Sequence, residues 1–287
     1  MSTTENPQKN NDTALHAHLD APPSRVLEAF GVTGPAIRLM GGEGTCYRIG
    51  SLVLKPTKNI VQASWLANTN AKLTSNLFRV PKSVQTKDGS WTFDGWTASE
   101  FLEGEHRPNV YAQAIELSHV FHKALQGIPK PDWLDQRTDV FAIADKIAWG
   151  ELPLPDYEPA HETLKKIMHE LGENRLPHQL IHGDWGPGQI LFHETFPPAV
   201  LDLTPYFRPA GYPIADMLLS AVRDGSDISI LDLGKPIQDF DQLVLRALLF
   251  RTCTYIGFQT HPDNSHNWTS EIIRHVNLAE VIAQKMQ

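Results

Sequence analysis

The sequence predicts an α+β protein in two lobes, a small antiparallel sheet with one helix followed by a larger, mainly helical region. Three observations predict it. Short β-branched and aromatic runs, punctuated by Gly and Asp-Gly signals, fill the chain from about residue 23 to 103. Amphipathic helical patterns dominate after Gly104. At 287 residues the chain has the size at which one domain gives way to two packed lobes.

Residues 1–22 are rich in Asn, Thr, Ser and Gln without periodicity and read as a mobile arm. From residue 23 to 103 the strand candidates are AIRLM, CYRIG, SLVLKP, FRVPKSV, WTFDGW and TASEFL. One helix, roughly Ile60 to Leu73, interrupts them, with Val61, Trp65 and Leu66 on a shared face. Residues 104–287 make the second lobe. One helix there carries Leu117, Phe121, Ala124 and Leu125; another carries Leu164, Ile167, Met168 and Leu171 and stops at Gly172. A strand-rich island, HQLIHGD through AVLDL, separates these from C-terminal helices beginning near Pro213, Pro236 and Trp268.

The net charge of −8, with no basic run, argues against a nucleic-acid binder that works by neutralising phosphates. No apolar run is long enough to span a bilayer, so no membrane association is expected. The polar N-terminus lacks the apolar stretch of a signal peptide, and Cys46 and Cys253 lie far apart. Both points favour a reducing, cytoplasmic location. The sequence leaves the oligomeric state open.

The chemistry concentrates in the island, which reads L-I-H-G-D-W-G-P-G-Q-I-L-F, then a turn, then A-V-L-D-L. Asp184 lies in a Gly- and Pro-rich loop, and Asp202 ends an apolar strand. The two short strands between them are expected to form a hairpin that brings both carboxylates to one end. One carboxylate to accept a hydroxyl proton and one to hold magnesium on a nucleotide are what phosphoryl transfer requires.

His182-Gly183-Asp184, with Gln189 five residues on and Asp202 thirteen beyond that, resembles the H-G-D-x-x-x-x-N…D signature of the aminoglycoside phosphotransferase and choline kinase family. Gly211-Tyr212-Pro213 with Asp216 resembles that family's G-D-P-x-x-D segment, which opens a helix and braces the catalytic loop. Upstream, Met40-Gly41-Gly42-Glu43-Gly44-Thr45 and Lys55 resemble its glycine-rich flap and phosphate-binding lysine. The resemblance covers nearly everything after the arm and implies a protein-kinase-like fold. It implies Asp184 as catalytic base, and Asp202 and Gln189 as magnesium ligands. It implies Gly41, Gly42, Gly44, Lys55 and Gln62 as the nucleotide-binding set, with Ser99 to Gly104 as the adenine-contacting hinge.

Two departures stand out. Gln189 replaces the usual Asn and lengthens the arm by one methylene. Between Lys55 and Asp88 there is no Asp or Glu, so the lysine's usual helix carboxylate is absent and Gln62 stands in its place. The function implied is ATP- and Mg²⁺-dependent transfer to a hydroxyl of a small molecule, such as an amino sugar, aminoalcohol or antibiotic-like acceptor. The alternative is a degenerate kinase-like protein that binds nucleotide or a protein partner without catalysis. About ten residues between Asp202 and the Pro213 helix, and no A-P-E segment, argue against a protein kinase.

Other residues receive plainer readings. The thirteen histidines include no H-E-x-x-H arrangement, and His119 and His122 are assigned to core or surface. His182 is read as a structural hydrogen-bonder, and Trp91 and Trp96 as packing residues. Arg107, Arg137 and Arg208 form a basic set that could meet an anionic substrate.

Overall fold

A computed structural model describes residues 21–39 and 44–286. Most of the N-terminal arm and Gly41, Gly42 and Glu43 of the glycine-rich run lie outside the described residues. The fold is the expected α+β arrangement, a small antiparallel sheet and a larger helical region. By its contacts the chain forms two compact units: the described residues up to His106 with Ile190–Asp202, and the remainder.

In the first unit, β1 (Ile37–Arg38), β2 (Tyr47–Ile49), β3 (Leu52–Pro56), β4 (Ser83–Val84) and β5 (Trp96–Glu100) form one sheet in the order β1-β2-β3-β5-β4. All its pairings are antiparallel, with Lys55 opposite Thr97. Tyr47, Ile49, Leu54, Trp96 and Ala98 bury one face of it. Helix α1 (Ser24–Ala29) adds Val26 to this core, and Phe30 follows it. That helix occupies a stretch the sequence assigns to strand-rich chain; six residues leave too short a window for helical periodicity to register. WTFDGW is also not a strand throughout. Asp94 and Gly95 both have positive φ, and Phe93 bridges Trp96, so the segment folds into a tight turn.

Helix α2 (Ile60–Lys72) starts where the Asn59 side chain accepts from the Gln62 N–H at 2.9 Å. Its buried positions are Ala63, Ala67 and Thr69, whereas Val61 is exposed. The expected Val61–Trp65–Leu66 face is therefore corrected: small residues face inward, where a helix lies close to its support. Two later strands, β7 (Ile190–Leu191) and β8 (Ala199–Val200), form a hairpin that packs with this unit. The sequence placed the hairpin with residues 104–287. Long-range bridges Arg79–Ala199 and Glu105–Phe192 attach it instead to the sheet side.

The second unit holds β6 (Gln179–His182), paired with β9 (Pro205–Arg208), and six helices among the described residues. Helix α3 (Tyr111–Leu125) buries Leu117, Phe121 and Leu125 as expected, while Ala124 points to solvent. Helix α4 (Val140–Ala148) was not anticipated, although Asp139 caps it by accepting from the Ala142 N–H. Helix α5 (His161–Glu170) buries Leu164 and Ile167. Helix α6 (Tyr212–Arg223) and α8 (Thr269–Met286) begin within one residue of the expected prolines and tryptophan. Helix α7 (Phe240–Thr260) starts four residues after Pro236 and is buried along most of its length. It packs against α4, α6 and α8 as the central post of the unit.

Candidate functional site

In the first unit the candidate residues are Lys55 and Asp202. Lys55 lies in β3, fixed by its ladder partner Thr97, whose hydroxyl donates to the Lys55 carbonyl at 3.1 Å. Asp202 lies two residues past β8 with φ +46, a left-handed turn that ends the strand and swings the side chain away from its course. Lys55 Nζ and Asp202 Oδ1 are 3.3 Å apart, with side chains 44% and 57% exposed.

The hairpin that carries Asp202 is held by Arg79. The Arg79 N–H donates to the Pro198 carbonyl and its own carbonyl accepts from the Val200 N–H, both at 2.9 Å. Its guanidinium donates to the carbonyls of Pro197 at 2.7 Å and Glu103 at 3.0 Å. One side chain thus ties the hairpin to the expected hinge. At Gly104 (φ +151) a Cβ would fall 2.8 Å from the Phe192 carbonyl oxygen, so only glycine lets the chain cross the hairpin this closely.

In the second unit the candidates are Asp184 and Gln189. Strand β6 ends at His182, and the Gly183 N–H donates to the Thr204 carbonyl at 2.8 Å. A Cβ at Gly183 would meet the Tyr206 ring at 2.1 Å, which explains the glycine of the H-G-D run. His182 is fully buried, and its Nδ1 accepts the Asp184 N–H at 3.2 Å, the structural role expected of it. Asp184 is exposed. The Gln189 side-chain amide donates to Asp184 Oδ2 at 2.6 Å. Trp185 is buried, and its indole N–H donates to the Ala114 carbonyl at 3.1 Å, pinning the loop to α3.

Behind this loop, Asp216 on α6 forms a buried bidentate pair with Arg251 on α7. Burial works to lower the Arg251 pKa, but the charge of Asp216 and its hydrogen bonds, with smaller contributions from Tyr255 and Asp184, outweigh burial and raise it. Arg251 therefore stays cationic, within electrostatic reach of Asp184.

A model of the phosphotransferase enzyme family matches residues 62–223, more than half of the chain. The chain belongs to that family. Among curated proteins none matches it in sequence. A solved structure of a putative aminoglycoside phosphotransferase from Ralstonia eutropha JMP134 is 15% identical to it. Their TM-score is 0.58, over 92% of this chain and 98% of that one. An APH(2″) aminoglycoside phosphotransferase with GDP and kanamycin is also 15% identical, with a TM-score of 0.56 over 91% and 98%. A choline/ethanolamine kinase family protein from Mesorhizobium loti is 16% identical, with a TM-score of 0.50 over 88% and 89%.

The remaining candidates of this phosphotransferase-family chain fall as follows. Gly44 accepts at its carbonyl from Arg38 Nε at 2.6 Å. Gln62 lies in the first turn of α2, half-buried, with its N–H given to the Asn59 cap. The three arginines do not form one basic set. Arg208 is buried against Asp145 and Glu151, Arg137 forks onto Asp139 at 2.8 and 2.9 Å, and Arg107 is exposed. Arg137 and Arg208 are thus structural ion pairs, not a receptor for an anionic substrate.

Arg79 and Arg251 were missed from the sequence. Arg251 had a signal: with Arg246 it is one of two charges inside the largely apolar run L-V-L-R-A-L-L-F-R-T-C, and a charge there calls for a buried partner. His119 is exposed and His122 buried, so the two plain readings divide between them. Trp96 packs edge-on against Tyr47 in the sheet core.

Proposed function

We propose that this protein is an ATP-dependent phosphotransferase acting on a hydroxyl of a small molecule, such as an amino sugar or aminoalcohol. The observation that carries the reading is the Lys55–Asp202 pair. A lysine in the sheet and a carboxylate 147 residues later meet at 3.3 Å while both remain open to solvent. Exposed pairs contribute about 0–1 kcal/mol, so stability is a weak reason for this one. Positioning a cation and a hard oxygen donor for a triphosphate is a better one.

In this reading Lys55 neutralises nucleotide phosphates, and Asp184 accepts the proton of the attacking acceptor hydroxyl. Gln189 orients Asp184 through the 2.6 Å hydrogen bond, and its amide oxygen remains a donor of the type magnesium prefers. The donor set fits magnesium. Among the described residues no group of three or more His, Cys, Asp and Glu could cage a metal. A single carboxylate, Asp202, supplemented by substrate phosphates is how magnesium is commonly bound. When bound, the ion would neutralise charge on the transferring phosphoryl group.

The kanamycin and GDP of the APH(2″) structure support a nucleotide and a hydroxylated acceptor as the substrate classes. A cytoplasmic location belongs to the same reading. Among the described residues no helix is long and apolar enough to cross a membrane, and Cys46 and Cys253 form no disulfide. The second reading, nucleotide binding without transfer, is favoured by one observation: α2 has no acidic residue in its first turn to pair with Lys55. A screen of hydroxylated amines and amino sugars for ATP-dependent phosphorylation tests the proposal. Nucleotide binding without any phosphorylated acceptor would leave the second reading.

A further inference from the structure

His122 on α3 has no part in the transfer as proposed, yet it is 1% exposed and hydrogen-bonds to the strand that delivers Asp184. Its Nδ1 lies 2.8 Å from the Ser118 carbonyl oxygen and 2.9 Å from the Ser118 hydroxyl, one turn earlier. Its Nε2 accepts the His182 N–H at 3.1 Å. A carbonyl oxygen can only accept and an N–H can only donate. The proton is therefore on Nδ1, and Nε2 offers a lone pair.

His182 is built the opposite way. Its Nδ1 accepts the N–H of Asp184 at 3.2 Å and of Thr204 at 3.5 Å, so that nitrogen is unprotonated. The two rings thus make a continuous relay from the backbone of α3 to the amide of Asp184. Phe121 and Trp185 pack against the His122 ring at centroid distances of 5.7 and 5.3 Å and fix its plane. The Gln179 amide, donating to the His122 carbonyl at 2.7 Å, binds β6 to the same turn of α3.

Burial first, and then the nearby His182 and His119, hold the His122 pKa down to about 3 against the opposing Ser118 carbonyl. The Nε2 lone pair consequently persists at any physiological pH.

We propose that His122 is a positioning residue for Asp184. As a permanently neutral acceptor it fixes the His182 backbone, and His182 fixes the Asp184 amide from which the carboxylate projects. The proposal rests on the transferase reading for its consequence but not for its geometry.

The test compares His122→Leu, which removes the acceptor, with His122→Gln, which returns a neutral acceptor at the place of Nε2. Two readouts are taken on the full chain: amide hydrogen exchange, and turnover with an acceptor found by screening. The expected result for His122→Leu is faster exchange at His182 and Asp184 than elsewhere in α3 and α7. Turnover should fall about 10–100-fold, the usual effect of a supporting-shell loss, with the nucleotide KM unchanged. His122→Gln should restore both.

Exchange at His182 and Asp184 that matches wild type, or that rises evenly through the whole helical unit, overturns the proposal. So does an Nε2-protonated His122 in nitrogen-15 spectra of the wild-type protein, a measurement independent of whether either variant folds. If wild type transfers nothing but the local exchange change appears, the positioning stands and the transferase reading falls.

Discussion

The Lys55 ammonium and the Asp202 carboxylate meet at 3.3 Å across 147 residues of chain, on strand β3 and past the β7–β8 hairpin. Their contact is more exposed than buried, which separates what it does for stability from what it does for a ligand. Asp202→Asn and Lys55→Met should shift unfolding of the ligand-free protein by less than about 1 kcal/mol. ATP with magnesium should stabilise wild type by about 2.7 kcal/mol at a hundredfold excess over Kd, and Asp202→Asn should lose the magnesium-dependent part. Thermal melts with and without ATP and metal check both halves. An unliganded loss of several kcal/mol would mean that the pair is structural.

Asp216 and Arg251 present the contrary case, an ion pair buried on both sides. Asp216→Asn should cost about 3–5 kcal/mol, because it leaves the Arg251 charge in the interior without its counter-charge. Asp216→Leu combined with Arg251→Met should recover much of the loss, since neither variant side chain carries a charge. Denaturant titration of the single and double variants decides it. Equal destabilisation in both would show that shape, not charge, is what the pair supplies.

The sheet was legible in the sequence because β2, β3 and β5 are short runs holding aromatic or β-branched residues beside turn signals, Gly50 between β2 and β3 and Gly95 before β5. Helix α7 was the least legible. Buried through most of its turns, it has no polar face to set a period, and Pro236 misplaced its start by four residues. Helices α1 and α4 are short, and only Asp139 advertised one of them. The candidate site divides in the same way. Asp184, Gln189 and Asp202 are a spacing, and a spacing can be read. What holds their loops is a set of contacts between distant segments, such as Arg79 on the hairpin carbonyls, Tyr206 against Gly183 and His122 under His182. Residue identity alone does not announce contacts of that kind.

Two buried imidazoles give the protein a measurable acid response. Burial is the first cause that lowers the His122 pKa to about 3 and the His275 pKa to about 4, from an ordinary value near 6.5. Arg223, Arg251 and Arg274 add to the effect at His275, and the Glu271 carbonyl opposes it. The unfolded chain therefore binds protons that the folded chain refuses. The stability these groups contribute is complete above about pH 6.5 and is lost as pH falls toward 4 and then 3. Stability should drop progressively across that window, and His275→Gln should flatten the upper part of the slope. Denaturation midpoints between pH 7 and pH 4 measure it. A flat wild-type profile would show that the imidazoles are not held neutral.

Asp184 is held by a side-chain amide. Gln189 reaches Asp184 Oδ2 at 2.6 Å with the longer of the two possible amide side chains. Asp184→Asn keeps the shape and can still hydrogen-bond an acceptor hydroxyl, but it cannot take the proton. Turnover should fall about 10²–10⁴-fold, the usual contribution of a positioned base, with nucleotide affinity nearly unchanged. Gln189→Asn withdraws the donor by one methylene, a displacement of roughly an ångström. It should lower turnover by up to about a hundredfold without affecting the fold, because misplacing a reacting group by that distance has about that cost. The measurement is steady-state transfer to an identified acceptor, paired with nucleotide titration of each variant. If Asp184→Asn binds ATP and turns over like wild type, Asp184 is not the base. If Gln189→Asn is as active as wild type, the 2.6 Å hydrogen bond does not orient it.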